Sequence, residues 1–192
     1  MNVKMTEGGN GDRPDAEALI QGVRERARNL YLTRELLCTE AVVTALNKGL
    51  GGGLTDDQAL AVSAPHCVGL GESGCLCGAL SGAVIASGLL LGKRRPCRHR
   101  KEMRDSAREL HDAFKAANGA ACCRVLTKKV KGDPKAHFLQ CAELTAGAAE
   151  MAVRLVLEKR PEIIVQADHG FVNKRGSRIG GAIGRLIRYV FG

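Results

Sequence analysis

At 192 residues the chain is long enough for one ordinary domain with a real core. Apolar residues make up 45% and aromatics only 3%, with no Trp, so the core must come from Leu, Val, Ile and Ala. That composition favours close-packed helices and leaves few rings for stacking on nucleic-acid bases. The formal net charge of +9 suits an acidic partner or a solvated basic surface.

Residues 1–14, with their Gly, Asn and Asp, read as a disordered lead-in without the apolar run of a secretory signal, which sets the expectation of a cytoplasmic protein. In that reducing setting eight cysteines are poorly explained by a disulfide framework, and metal, cluster or redox roles gain weight. From Asp15, the positions Ala18, Leu19, Val23, Ala27 and Leu30 mark one face of a helix, with Arg24, Arg26 and Arg28 on its other side. A second helix is predicted from Arg34 to Lys48, with Cys38, Val42 and Ala45 on one face and the glycines from Gly49 to Gly53 as its stop. Thr55-Asp56-Asp57-Gln58 reads as a capping box that opens a short third helix, closed by Pro65. A Gly-rich loop with His66, Cys67, Gly69, Gly71 and Gly74 follows.

The rest of the chain is arranged around the uncharged run 73–92. Gly78, Ser81, Gly82, Ala86 and Ser87 put little bulk on one side of a helix there, so a neighbouring helix can approach closely, while Cys77, Leu80, Val84 and Leu91 follow the spacing of one helical face. Cys77 then sits at the first turn, where free N–H groups and the helix dipole favour a thiolate. The Gly78-to-Gly82 spacing and the following Lys93-Arg94-Arg95 give the run some likeness to a membrane span, but its Gly, Ser and Cys content is too polar for one, and a buried helix is the expectation.

Beyond it, a basic stretch from Lys93 to Lys101 contains Pro96 and Cys97, and a second basic group runs from Lys128 to Lys135. Met103, Ala107, Leu110 and Phe114 mark the inner face of a helix from Lys101 to Asn118 that Gly119 stops, and Cys122-Cys123-Arg124 comes next. Cys141, Leu144, Ala148, Met151 and Leu155 step along a long helix from Ala136 to Lys159, ended by Pro161. Ile163-Ile164-Val165 is the best candidate for a strand, and strand content should be low. No Asp or Glu follows Asp168, whereas Lys174, Arg175, Arg178, Arg185 and Arg188 do, and the amphipathic tail 180–191 could dock on the domain, a partner or an anionic surface. The predicted fold is all-α, a compact bundle of about five to six helices over 15–160 with 161–192 as a basic C-terminal extension.

Cys38, then Cys77-Gly78-Ala79-Leu80-Ser81-Gly82 as a CGAxxG motif, then Phe114 with Cys123-Arg124-Val125-Leu126, then Cys141, carry a resemblance. In order, spacing and flanks, from Ala27 to Lys159, the chain resembles the bacterial and archaeal C_GCAxxG_C_C family. The resemblance implies a small helical protein with four signature cysteines and an inferred redox role, and it assigns that role to Cys38, Cys77, Cys123 and Cys141. This chain adds Cys67, Cys75, Cys97 and Cys122. Cys75 and Cys122 lie beside signature positions and are secondary candidates; Cys123 keeps the Cys-Arg-x-Leu register that Cys122 does not.

Three chemistries are open to the four thiols. An iron–sulfur cluster needs them to converge from rigid elements. A dithiol/disulfide couple needs only two, with Cα atoms within about 7 Å, and Cys77 is its natural attacker. Structural zinc fits less well without paired C-x-x-C knuckles, His66, Cys67, Cys75 and Cys77 being a loose alternative set, and no C-x-x-C-H haem attachment site is present. No Ser-His-Asp arrangement, phosphate loop or dinucleotide fingerprint is readable, so an electron carrier or accessory redox subunit with a redox partner protein is favoured over an enzyme with its own substrate. The lack of a helix-turn-helix or zinc-finger pattern weakens a nucleic-acid module, though an acidic partner or surface suits the basic residues from Lys93 to Lys101 and from Lys174 to Arg188.

Overall fold

The computed structural model describes residues 12–92 and 97–191, and every regular element among them is helical. The expected lead-in over 1–11 and the basic residues Lys93, Arg94, Arg95 and Pro96 lie outside the described residues. Helix α1 (Asp12–Leu32) begins at Asp12 rather than Asp15 and buries Leu19, Val23, Ala27 and Leu30 of the predicted stripe, while Ala18 is exposed and Arg26, expected on the outer side, is buried. It does not run into the next helix. Arg34 takes a left-handed conformation with φ 57°, and α2 (Cys38–Gly49) starts four residues later than the spacing suggested. Glu40 closes the gap by accepting the Leu37 N–H at 2.8 Å.

α2 is deeply enclosed: Ala41, Val42, Val43, Ala45 and Leu46 are fully buried. The Thr55–Gln58 capping box forms as read and opens α3 (Asp56–Ser63), with reciprocal bonds of 3.0 and 3.2 Å. A short segment, α4 (Cys67–Leu70), leads through the Gly-rich loop to α5 (Gly78–Gly92). α5 packs against α2, α6 (Arg100–Asn118) and α8 (Pro134–Lys159), and its side chains Leu80, Ala83, Ala86 and Leu90 are buried. A Cβ on Gly82 would fall 2.9 Å from both the Thr39 carbonyl oxygen and the Val42 Cβ, so the small-residue face is what lets α2 and α5 touch. No helix among the described residues is long and apolar enough to cross a membrane, and the run 73–92 is a loop followed by a buried helix.

α6 ends at Gly119 (φ 80°) as predicted and buries Leu110 and Phe114. α7 (Cys123–Leu126) is a single turn, and α8 begins on Pro134 because Asp133 caps it, accepting the Lys135 and Ala136 N–H groups at 2.9 Å each. The strand proposed for Ile163-Ile164-Val165 is instead a 3-10 helix over Pro161–Gln166. Pro161 presets a helical φ at its start, and Ile163 is fully buried in the helical core instead of pairing along an edge. α9 (His169–Asn173) drops Val172 into the core beside Gly22 and Gly49, and α10 (Arg178–Phe191) closes the chain. The architecture is an all-α bundle centred on α2, α5 and α8.

Candidate redox site

Four separate elements each deliver one cysteine to the same place. Cys38 is the first residue of α2 and Cys77 stands directly before α5, its carbonyl accepting the Ser81 N–H at 2.9 Å. Cys123 opens α7, and Cys141 lies in the N-terminal part of α8. Together with Tyr31, Leu37, Val68, Ala79 and Leu144 these four cysteines line one cavity of about 80 Å3. That is several times what a single water needs, about 10–15 Å3. Because α2 and α5 meet through Gly78 and Gly82, Cys38 and Cys77 face each other across a helix contact that a larger side chain would wedge apart.

Sequence reasoning missed how the loop before α5 is built. Val68, Gly69, Leu70, Gly71 and Glu72 all have φ between 54° and 73°, a turn of left-handed helix closed by the Gly71 N–H on the Cys67 carbonyl (3.1 Å) and the Gly74 N–H on the Gly69 carbonyl (2.9 Å). Left-handed backbone costs a non-glycine residue about 1–2 kcal/mol, and a β-branched one such as Val68 is an outlier. The strained turn sets the Val68 N–H against the Cys38 sulfur. Its glycines also admit neighbours: a Cβ on Gly69 would lie 2.7 Å from the Cys123 Cβ. The only hint in the sequence was the density of glycines from Gly69 to Gly74.

The thiols differ in character. Cys38 is held below the ordinary thiol range, chiefly by the Cys67 S–H and also by the Val68 and Thr39 N–H groups, against the cost of burial. Cys67, buried and facing both the Cys38 sulfur and the Ser63 carbonyl oxygen at 3.7 Å, is shifted strongly upward by that bond to Cys38 and by burial. Cys77 was expected to be the thiolate, yet burial pushes it up to about 11, outweighing the Leu80 and Ala79 N–H groups at the start of α5. Burial also raises Cys123 and Cys141, the latter despite a hydrogen bond from the Tyr31 hydroxyl. The Tyr31 ring stacks on Phe138 at 5.1 Å, which fixes the hydroxyl over the cavity.

The remaining cysteines sort by position. Cys75 and Cys122 are joined to each other, with Cα atoms 4.5 Å apart, so of the adjacent pair it is Cys123 that faces the cavity. The link is flanked by two backbone bonds between the same segments, Cys77 N–H to Ala121 at 2.8 Å and Arg124 N–H to Gly74 at 3.0 Å. Cys97 is exposed, with Arg100 donating to its sulfur at 3.6 Å. Among the described residues no three His, Cys, Asp or Glu side chains close on a single-ion site, and His66, Cys67, Cys75 and Cys77 are not gathered into one. A wider cleft of about 550 Å3, lined by Arg34, Leu36, Pro134 and Phe138, shares Tyr31, Leu37 and His137 with the thiol cavity.

An all-helical bundle that turns four cysteines onto one apolar cavity defines a class of cysteine-centred helical proteins. Within that class the chain belongs to the C_GCAxxG_C_C family, whose description reads "Putative redox-active protein (C_GCAxxG_C_C)" and whose model covers residues 36–155. The match spans all four cavity cysteines and more than half of the chain. No curated protein and no solved structure matches the chain.

Proposed function

We propose that this chain is an electron-transfer or accessory redox protein in which Cys38, Cys77, Cys123 and Cys141 hold an iron–sulfur cluster. The observation that carries this reading is the convergence of those four thiols, from four parts of the chain, on one apolar cavity. Thiols brought together from rigid helices are the ligand set that such a cluster requires. When bound, the cluster would supply electron transfer at a potential set by burial and by hydrogen bonds to its sulfurs. The chain's own part is to hold those terms: Thr39 and Val68 N–H groups at the Cys38 sulfur, the Tyr31 hydroxyl at Cys141, and Leu37, Ala79 and Leu144 excluding water. The cleft bearing Arg34 and His137 is the approach for a redox partner, and a reducing cytoplasmic setting suits a centre made of free thiols.

A second reading, a dithiol/disulfide couple without metal, is favoured by the Cys75–Cys122 pair, which flanks Cys77 and Cys123 in sequence. Its step is the uptake of two electrons and two protons by the disulfide to give two thiols, supplied by an external dithiol partner. One preparation separates the two. Protein purified anaerobically should show iron with matching sulfide and a broad visible band, both lost in Cys77→Ser. A colourless, metal-free protein that loses thiols on mild oxidation would replace the cluster reading by the couple, and an unchanged centre in Cys77→Ser would remove Cys77 from either.

A further inference from the structure

The C-terminal helix turns a row of large apolar residues to solvent. In α10, Ile179, Ile183, Leu186, Ile187 and Val190 are 75, 54, 63, 53 and 57% exposed. Their steps of four, three, one and three residues make one stripe along the helix. The opposite side is fixed on the protein. Gly181 is buried where a Cβ would come 2.6 Å from the Thr33 carbonyl oxygen, and the connection before the helix is tied to α1 by a reciprocal pair, Gly176 N–H to Asn29 at 2.7 Å and the Asn29 amide to the Gly176 carbonyl at 3.2 Å. The stripe is therefore presented outward instead of being free to fold back.

Charge identifies what covers it. After Asp168 the sequence has no carboxylate side chain, and Lys174, Arg175, Arg178, Arg185 and Arg188 crowd the same short segment. A second copy of the helix would bring like charges together, whereas an anionic lipid surface satisfies both the aliphatic stripe and the basic residues. A helix of 14 residues is about 21 Å long, short of the roughly 30 Å hydrocarbon core, so it lies in the membrane plane. We propose that α10 is an interfacial anchor that seats the protein on bilayers rich in anionic headgroups, a property independent of the chemistry in the thiol cavity.

Vesicle sedimentation of the full chain tests this. With phosphatidylcholine vesicles containing phosphatidylglycerol the protein should sediment, and it should do so far less with phosphatidylcholine alone or at high salt. The double substitution Ile183→Asp with Leu186→Asp should weaken sedimentation by at least about tenfold with the melting temperature unchanged, both residues being solvent-exposed. No sedimentation with the phosphatidylglycerol vesicles, or equal sedimentation of the variant, overturns the proposal. So does a wild-type dimer in solution that the same variant dissociates, which would assign the stripe to a second copy.

Discussion

Glu17 shows at single-residue scale how α1 is fastened to α8. Arg154 of α8 donates two bonds of 2.8 Å to its carboxylate, with Gln21 adding one of 2.9 Å, and these hold Glu17 down at about 2 from an ordinary 4.5. A depressed carboxylate adds stability that is complete above the unfolded value and fades as pH falls through the folded one. The difference in urea midpoint between the native chain and Glu17→Gln should therefore shrink as pH is lowered from 4.5 towards about 2, and a constant difference across that window would show that the pair contributes nothing. The effect is small, since the carboxylate is fully exposed. Cys38 and Cys77 make the complementary point. Both stand at helix starts, yet the buried one with fewer effective donors is raised and the one beside Cys67 and Val68 is lowered. Helix position was legible in the sequence; the balance between dipole and burial was not.

Among the elements, the contact of α2 with α5 decides whether the cavity exists. Gly82→Leu places bulk where even a Cβ has 2.9 Å to the Thr39 backbone, so it should destabilise the fold by about 1–3 kcal/mol or more. Thermal melting reads this directly, and an unaltered melting temperature would mean that the two helices can part without loss. The small side chains of that face could be read from spacing alone, as could the Thr55 cap, the Gly119 stop and the inner face of α8. The left-handed turn could not, because Val68, Leu70 and Glu72 are residues that ordinarily avoid that conformation and only their surroundings hold them in it. The same holds for Arg34, whose left-handed φ splits what periodicity read as the first turn of α2. Ile163-Ile164-Val165 misled because a short apolar run bounded by polar residues, here Glu162 and Gln166, reads alike as an edge strand or as one turn of helix pressed on a core.

For the whole molecule, the C-terminal segment divides in two. Ile163 and Val172 are buried with the core, while α10 offers its stripe to solvent. Removing residues 177–192 should leave the thiol centre as it is and lower the melting temperature only slightly, whereas removing 162–192 should cost several kcal/mol, since losing one buried Ile side chain alone costs about 2–5. Equal melting temperatures for the two truncations would refute the distinction. The four cavity cysteines were legible through their order and flanks, but the joining of Cys75 to Cys122 was not, because neither belongs to the shared pattern and each hides beside a residue that does. That link has a mechanical consequence. It spans a sequence separation of 47 and encloses all of α5 and α6, so the covalent molecule is a ring with two arms rather than a string. Pulled from its ends, the oxidised chain can extend only along the arms. Roughly 160 Å of contour, at about 3.4 Å per residue, stays hidden until the ring is reduced.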